Sequence, residues 1–413
     1  MFENTNNVIV KQLKNIFVLL FKIFFFNLRA RGVKRKDHIV FVAEFDTEGG
    51  AFTYFKYMLE YFAAKKISYL LVLSGKHKQF VEENIKIPYC LGIIEGPEVW
   101  RPYFTKKNAL THNLHLFINQ LQELLFFSKL NVKHRPAYFY FSVTNPEHYL
   151  FEFCVIAKLF YVCHTLTNDP IDRVKGSLLN LFLGKNKNII LVSHFARELL
   201  IETWRVKGSS KRFIHVVHNY YHKINNGGHK KKKVTAFTVL TIGSVEWYKD
   251  PSKWCEVAKM LTDMYGKDSI DFFWLGSGSL KDECQQSVSR YHNISFVGYC
   301  RDVEMYYNIA DVYMQPSISE SFGISVVGAM AHKIPCVVSA AGGLKEVVCD
   351  NETGFIINGN SNEMYVDKLR HLLNNPRERT KLGEGGYIKF MREFTKQHWD
   401  AKMGQLLADN HIE

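Results

Sequence analysis

Residues 317–348 read Ser-Ile-Ser-Glu320-Ser-Phe322-Gly323-Ile-Ser-Val-Val-Gly328-Ala-Met-Ala-His-Lys-Ile-Pro335-Cys-Val-Val-Ser-Ala-Ala-Gly342-Gly343-Leu-Lys-Glu346-Val-Val. A polar loop with one carboxylate, Glu320, runs into Gly323. A helix-prone segment follows over 324–333, and the apolar run 336–339 predicts a buried strand. Loop, helix and strand in that order make half of a βαβ unit. Gly323 leaves room for a ligand near the backbone, and the unpaired amides at the helix start suit an anion. Glu320, three residues upstream, can accept hydrogen bonds from hydroxyls on the same ligand. Taken alone, the motif reads equally as a capping glutamate and a glycine turn.

Strands and helices alternate on both sides of this stretch. Before it, strands are expected at 238–243, 271–275, 294–297 and 311–315, with a helix over 302–310. Gly276-Ser277-Gly278 and Gly298 punctuate two of these strands. In the first half, a strand at 38–45 leads to Gly49 and Gly50 and then a helical run to residue 64. Further strands are expected at 68–73, 137–142, 159–164 and 188–193, with a helix over 110–127. Such alternation predicts parallel sheets covered by helices. His164 closes one strand, at the sheet edge where open α/β folds place ligands. A lone histidine there can also be purely structural. Residues 225–233, Asn-Asn-Gly-Gly-His followed by four lysines, read as an exposed linker. A single helix is expected over 386–407, with apolar spacing at Phe390, Phe394, Trp399 and Met403.

A chain of 413 residues is long enough for two domains. With 47% hydrophobic and 23% charged residues it is globular, and the net charge of +13 points to an anionic partner. No reading helix or aromatic-basic motif argues for nucleic acid. The eight cysteines are scattered and contain no Cys-x-x-Cys, which suits reduced thiols in a cytoplasm. No Asp-x-Asp occurs, so nothing in the sequence demands a metal.

The 317–348 block resembles the donor-binding signature of retaining glycosyltransferases of group 1, or family four. Glu320, Phe322, Gly323, Ala329, Met330, Ala331, Pro335, Gly342, Gly343 and Glu346 fall in register with it. The signature's second glutamate falls at Gly328. Upstream, Gly243 and Lys249 match a phosphate-binding pattern whose arginine falls at Ser244 and whose final glycine falls at Asp250. The resemblance implies the GT-B architecture, two Rossmann-like domains facing a cleft, and a hexosyltransferase of class EC 2.4 with no cofactor and no metal. It implies that Glu320 holds donor-sugar hydroxyls. Lys249 and the amides near Gly323 and Ile324 would hold the diphosphate. Gly49, Gly50, Gly243, Phe322 and Glu346 would complete the donor site, and His164 would join Glu320 at the reacting sugar. The missing glutamate and arginine leave an alternative, a catalytically inactive GT-B relative that binds or scaffolds.

The expected domains are a basic, apolar segment at 1–36, an acceptor domain at 37–226, a donor-binding domain at 234–389, and a terminal helix at 390–413 returning to the first domain. Residues 16–26 are apolar except for Lys22, with Lys11, Lys14, Arg29, Arg31, Lys34, Arg35 and Lys36 around them. The run is too short to span a bilayer, which takes about 20 residues. It fits a helix lying in an anionic membrane surface, or else one packed on the domain. The implied partners are a nucleotide-sugar, a lipid-linked or oligosaccharide acceptor and that membrane surface, without nucleic acid. The implied location is the cytoplasmic face of the membrane, in assembly of surface polysaccharide.

Overall fold

The computed structural model describes residues 2–45, 49–96, 109–143, 157–165, 180, 183–184, 186–223 and 236–409. The linker expected at 225–233 lies outside them. The chain divides into two compact units: Met1–Leu191 with Arg197–His215, and Val192–Ala196 with Val216–Glu413.

The described elements of the first half are α1 (Phe2–Arg29), β1 (Ile39–Ala43), α2 (Gly50–Lys65), β2 (Tyr69–Leu73), α3 (Gly75–Asn84), β3 (Cys90–Glu95), α4 (Ala109–His134), β4 (Phe139–Val143), β5 (Leu159–Cys163), β6 (Lys187–Leu191), α5 (His194–Thr203) and β7 (Ile214–Val216). The sheet runs β3-β2-β1-β4-β5-β6-β7. Pairing is parallel from β3 to β6. Strands β1, β2, β5 and β6 are buried along their whole length, as helices on both faces require. Phe41 at the centre meets the rings of Phe55, Phe62, Tyr69 and Tyr140. Each such buried ring stabilises the unit by roughly 1.5–3 kcal/mol. Strand β3 was not expected: it is mostly half-buried at the sheet edge, and Gly92 interrupts its apolar residues.

Helix α1 packs beside α4; Ile23 and Asn27 on it, and Ala30 just after it, are buried. Its opposite face carries Phe17, Leu20, Phe21, Phe24, Phe25 and Leu28 in the open. These six recur at helical spacing and form one continuous apolar stripe. No described helix is long and apolar enough to cross a membrane.

The second half continues with β8 (Phe237–Ile242), α6 (Pro251–Tyr265), β9 (Ile270–Leu275), α7 (Lys281–Ser287), β10 (Ile294–Gly298), α8 (Val303–Ile309), β11 (Val312–Gln315), α9 (Ile324–Ala331), β12 (Cys336–Ser339), α10 (Leu344–Val347), β13 (Gly354–Ile357), α11 (Asn362–Asn374), α12 (Pro376–Glu393) and α13 (Lys396–Asp409). Its sheet runs β10-β9-β8-β11-β12-β13, all parallel. Trp254, Phe272, Trp274 and Phe296 form the aromatic centre of one of its faces. The single helix expected over 386–407 is broken at Phe394 and Thr395. The Thr395 hydroxyl meets His398 Nδ1 at 2.8 Å, and Trp399 N donates to the Thr395 carbonyl, so α13 starts afresh with its own cap.

Candidate functional site

In the second unit the Glu320 loop lies at the carboxyl end of β11, between that strand and α9. Gly323 caps α9 with φ +103°, and a Cβ there would stand 2.8 Å from Leu344 Cδ2. Both the backbone and the space therefore call for glycine. The first amides bonded within the turn are those of Val326 and Val327, both to the Gly323 carbonyl. The amides of Ile324 and Ser325 precede them, at the positive end of the helix. Gly342 and Gly343 support the loop from behind. A Cβ on Gly342, at φ +49°, would stand 2.0 Å from the Glu320 carbonyl oxygen, and Gly343 N donates to that same oxygen at 3.0 Å.

The Glu320 carboxylate pairs with the Lys249 ammonium, and both side chains are largely buried. It also accepts from Gln315 Nε2 at 2.6 Å. Lys249 arrives from a short turn after β8 whose position is fixed at several points. Gly243 N donates to the Leu275 carbonyl, and Trp274 Nε1 donates to the Gly243 carbonyl at 2.9 Å. Ile318 N and Ser319 N donate to the Tyr248 carbonyl, which ties this turn to the Glu320 loop. Asp250, where the resemblance expects glycine, adopts the left-handed conformation with φ 52°. Aspartate tolerates it, and here its side chain also accepts from Lys253 N to cap α6. Ser244, at the expected arginine position, hydrogen-bonds to the Tyr248 hydroxyl at 2.7 Å.

Gly328, at the position of the second signature glutamate, is sealed. A Cβ there would stand 2.5 Å from the Tyr307 hydroxyl and 2.9 Å from Tyr221 Cε2. Tyr307 donates to the Ser325 carbonyl and stacks on His332, whose Nε2 lies 2.6 Å from the buried Glu304. Tyr221 donates to the same carboxylate at 2.7 Å. Two tyrosines and a buried His332–Glu304 pair thus fill the space, and a glutamate at this position has nowhere to go.

Both oxygens of Glu346 are engaged. They accept from His194 N at 2.8 Å and Phe195 N at 2.6 Å, at the start of α5, and meet His218 Nε2 at 3.2 Å. Burial works to raise this carboxyl's pKa, but the hydrogen bonds from His218 and the two amides outweigh it and hold it below the usual range. Ligand atoms of His194, His218 and Glu346 lie within 4.8 Å of one another. Because the carboxylate is already satisfied by two amides, the group reads as a helix cap. Phe322 is only 2% exposed and packs against His218 and Phe394, so its ring supports the loop from the core side.

His164, Gly49 and Gly50 belong to the first unit. His164 follows β5, and its Nε2 meets Ser142 Oγ at 2.9 Å while Tyr54 lies edge-on to the ring at 4.6 Å. Desolvation pushes its pKa down to about 3, so the imidazole is neutral. Gly49 precedes α2 with φ 108° and is exposed, as is Gly50. The structure therefore gathers Gly243, Lys249, Glu320, Phe322, Gly323, Ile324 and Glu346 in one unit, and His164, Gly49 and Gly50 in the other. Sequence reading missed Gln315. Its signal was a polar residue ending an otherwise apolar strand.

Residues 225–389 match the family model described as "Glycosyl transferases group 1". The D-inositol 3-phosphate glycosyltransferase of Thermomonospora curvata is 36% identical over 102 residues, 25% of this chain and 23% of that protein. An uncharacterized glycosyltransferase of Haemophilus influenzae is 28% identical over 324 residues, covering 73% of this chain and 80% of its own length. The chain thus matches about a quarter of the length of curated relatives such as the inositol phosphate enzyme. A crystal structure of a glycosyltransferase from Rickettsia africae superposes with a TM-score of 0.72 at 16% identity, covering 91% of this chain and 99% of that one. HepE of Anabaena in complex with UDP-glucose gives a TM-score of 0.68 at 15% identity over 90% and 99% of the two chains. These two likenesses show the fold, two Rossmann-like parallel-sheet units of the GT-B class. The family match covers the unit that carries Lys249 and Glu320.

Proposed function

We propose that the chain is a glycosyltransferase that moves a sugar from a nucleotide-sugar to a lipid-linked or oligosaccharide acceptor, with retention of anomeric configuration. One observation carries the reading. An ammonium, Lys249, pairs with a carboxylate, Glu320, in the loop that leads straight into the N-terminus of α9, inside the residues that match the family model. The diphosphate of a nucleotide-sugar gains negative charge as the glycosidic bond breaks. Lys249 and the Ile324 amide stabilise that charge from fixed positions, and the cost of orienting them is met in folding. Glu320 accepts hydrogen bonds from the donor sugar's hydroxyls. Gly243 keeps the phosphate turn close, Phe322 holds the loop, and Glu346 fixes the start of α5 and His218, on which the Phe322 ring rests. His164, neutral by burial, serves the reacting sugar as a hydrogen-bonding group rather than as a charge. Gly49 and Gly50 leave room for donor or acceptor against the backbone. No metal is required, since Lys249 supplies the cation.

Helix α1 supports the acceptor class. Its bare stripe of phenylalanine and leucine, with exposed Lys14, Lys22, Arg29, Arg31, Lys34 and Lys36 around it, suits an anionic bilayer surface. On this reading the protein works at the cytoplasmic face of the membrane, on a lipid-linked glycan of surface polysaccharide. The test is a panel of UDP-, GDP-, ADP- and dTDP-hexoses, UDP-glucose first, with membrane extract as acceptor source and product mass as readout. One donor is expected to give a product one hexose heavier. No product with any donor would overturn the reading and favour a relative that binds without catalysing.

A further inference from the structure

Gln315 ends β11 with 1% exposure, and its amide is held from both ends. The carbonyl Oε1 accepts from the Tyr313 hydroxyl at 3.0 Å and the Ser325 hydroxyl at 3.4 Å. Tyr313 is in turn held by the Ile242 amide, which donates to its hydroxyl at 3.2 Å and leaves the one hydroxyl proton for Gln315. These contacts fix which way the amide points and aim Nε2 at Glu320 Oε2, 2.6 Å away, with Ser317 Oγ at 3.2 Å. The Lys249 ammonium takes the same oxygen. Among the described residues, the other oxygen, Oε1, has no hydrogen-bond partner. The carboxylate is therefore pinned on one oxygen and open on the other.

We propose that Gln315 is a positioning residue for the transfer reaction: it fixes the Glu320 carboxylate so that Oε1 faces the donor sugar. This rests on the glycosyltransferase reading above. A carboxylate with one ammonium partner can rotate and present either oxygen. A second donor from a buried, rigid amide removes that freedom before the sugar arrives. The titratable groups around Gln315 are Glu320, Lys249 and Tyr313, and the Ser317 and Ser325 hydroxyls complete its surroundings.

Two variants test the assignment, using a donor that the wild-type enzyme turns over. Gln315→Met keeps the volume and removes the N–H donor. Its kcat is expected to fall at least about tenfold, the worth of a charge-assisted hydrogen bond, with KM for the donor little changed. In Gln315→Glu, two facing carboxyls share one proton, and the introduced carboxyl, while it holds that proton, donates to Glu320 as the amide did. That variant should be active at acidic pH and lose activity as pH rises and the shared proton leaves, a limb absent from the wild type. A folded Gln315→Met with unchanged kcat, or a Gln315→Glu with the wild-type pH profile, would overturn the proposal. If Gln315→Met does not fold, Gln315→Glu decides alone. Lack of turnover by the wild type with every donor would instead overturn the transferase reading, and this inference with it.

Discussion

At Gly328 the side chain that the family signature supplies is replaced by the rings of two neighbours. Tyr307 and Tyr221 occupy the space, and the buried His332–Glu304 pair holds them there. Even one added carbon meets the Tyr307 hydroxyl, so Gly328→Ala should destabilise the protein by about 1–3 kcal/mol, the usual cost of overpacking. Gly328→Glu should cost more, since its charge would also be buried without a partner. Thermal unfolding of both variants checks this, and an unchanged midpoint for Gly328→Glu would contradict it. At His164 burial sets the sign of a pH effect. The unfolded imidazole takes a proton near 6.5, the folded one only near 3. Its contribution is present above pH 6.5 and is lost as pH falls from 6.5 towards 3. His164→Gln keeps a partner for Ser142 and cannot titrate. Denaturant unfolding over this window should show a shallower loss of stability for the variant than for the wild type. Equal slopes would mean that the folded imidazole is not held neutral.

Among the elements, α1 has two apolar faces. One packs beside α4; the other shows Phe17 at 73% exposure and Phe21 and Phe24 at 65% each. Since little of these three side chains is covered, replacing them with serine should leave folding intact. Each phenylalanine that enters lipid contributes about 1.5–3 kcal/mol, so the triple variant should bind anionic vesicles at least about a hundredfold more weakly. Co-sedimentation with phosphatidylglycerol vesicles measures it, and retained binding would remove α1 as the contact. The helix was legible in sequence as an apolar run among basic residues. The division of that run into a packed and a bare face was not, because it depends on where α4 lies. Strand β12 emerged at the bounds expected for 336–339, since its apolar residues are buried whichever neighbour covers them. Strand β13 was not foreseen, because a glycine opens it and only Phe355, Ile356 and Ile357 follow as an apolar run.

Across the whole molecule, the two parallel sheets were legible because buried parallel strands are apolar throughout, and the glycine turns between strand and helix mark the ligand edge. The site was legible where the contacts are local. Glu320, Gly323 and Ile324 lie within five residues and came out together. The partners of Glu346 were not legible, since its oxygens meet the amides of His194 and Phe195 more than 150 residues away. Tyr307 and Tyr221 were hidden for the same reason, and Gln315 because one polar residue in an apolar strand gives no partner by itself. On the proposed function, Glu320 serves sugar transfer rather than the fold. The most direct test is the transfer rate of Glu320→Ala against wild type, on a shared donor and acceptor, with circular dichroism confirming equal folding. A fall of at least about a hundredfold is predicted, as for loss of a fixed group at the reacting centre. A rate within about twofold of wild type, well under the worth of one hydrogen bond to a charged group, would contradict the account.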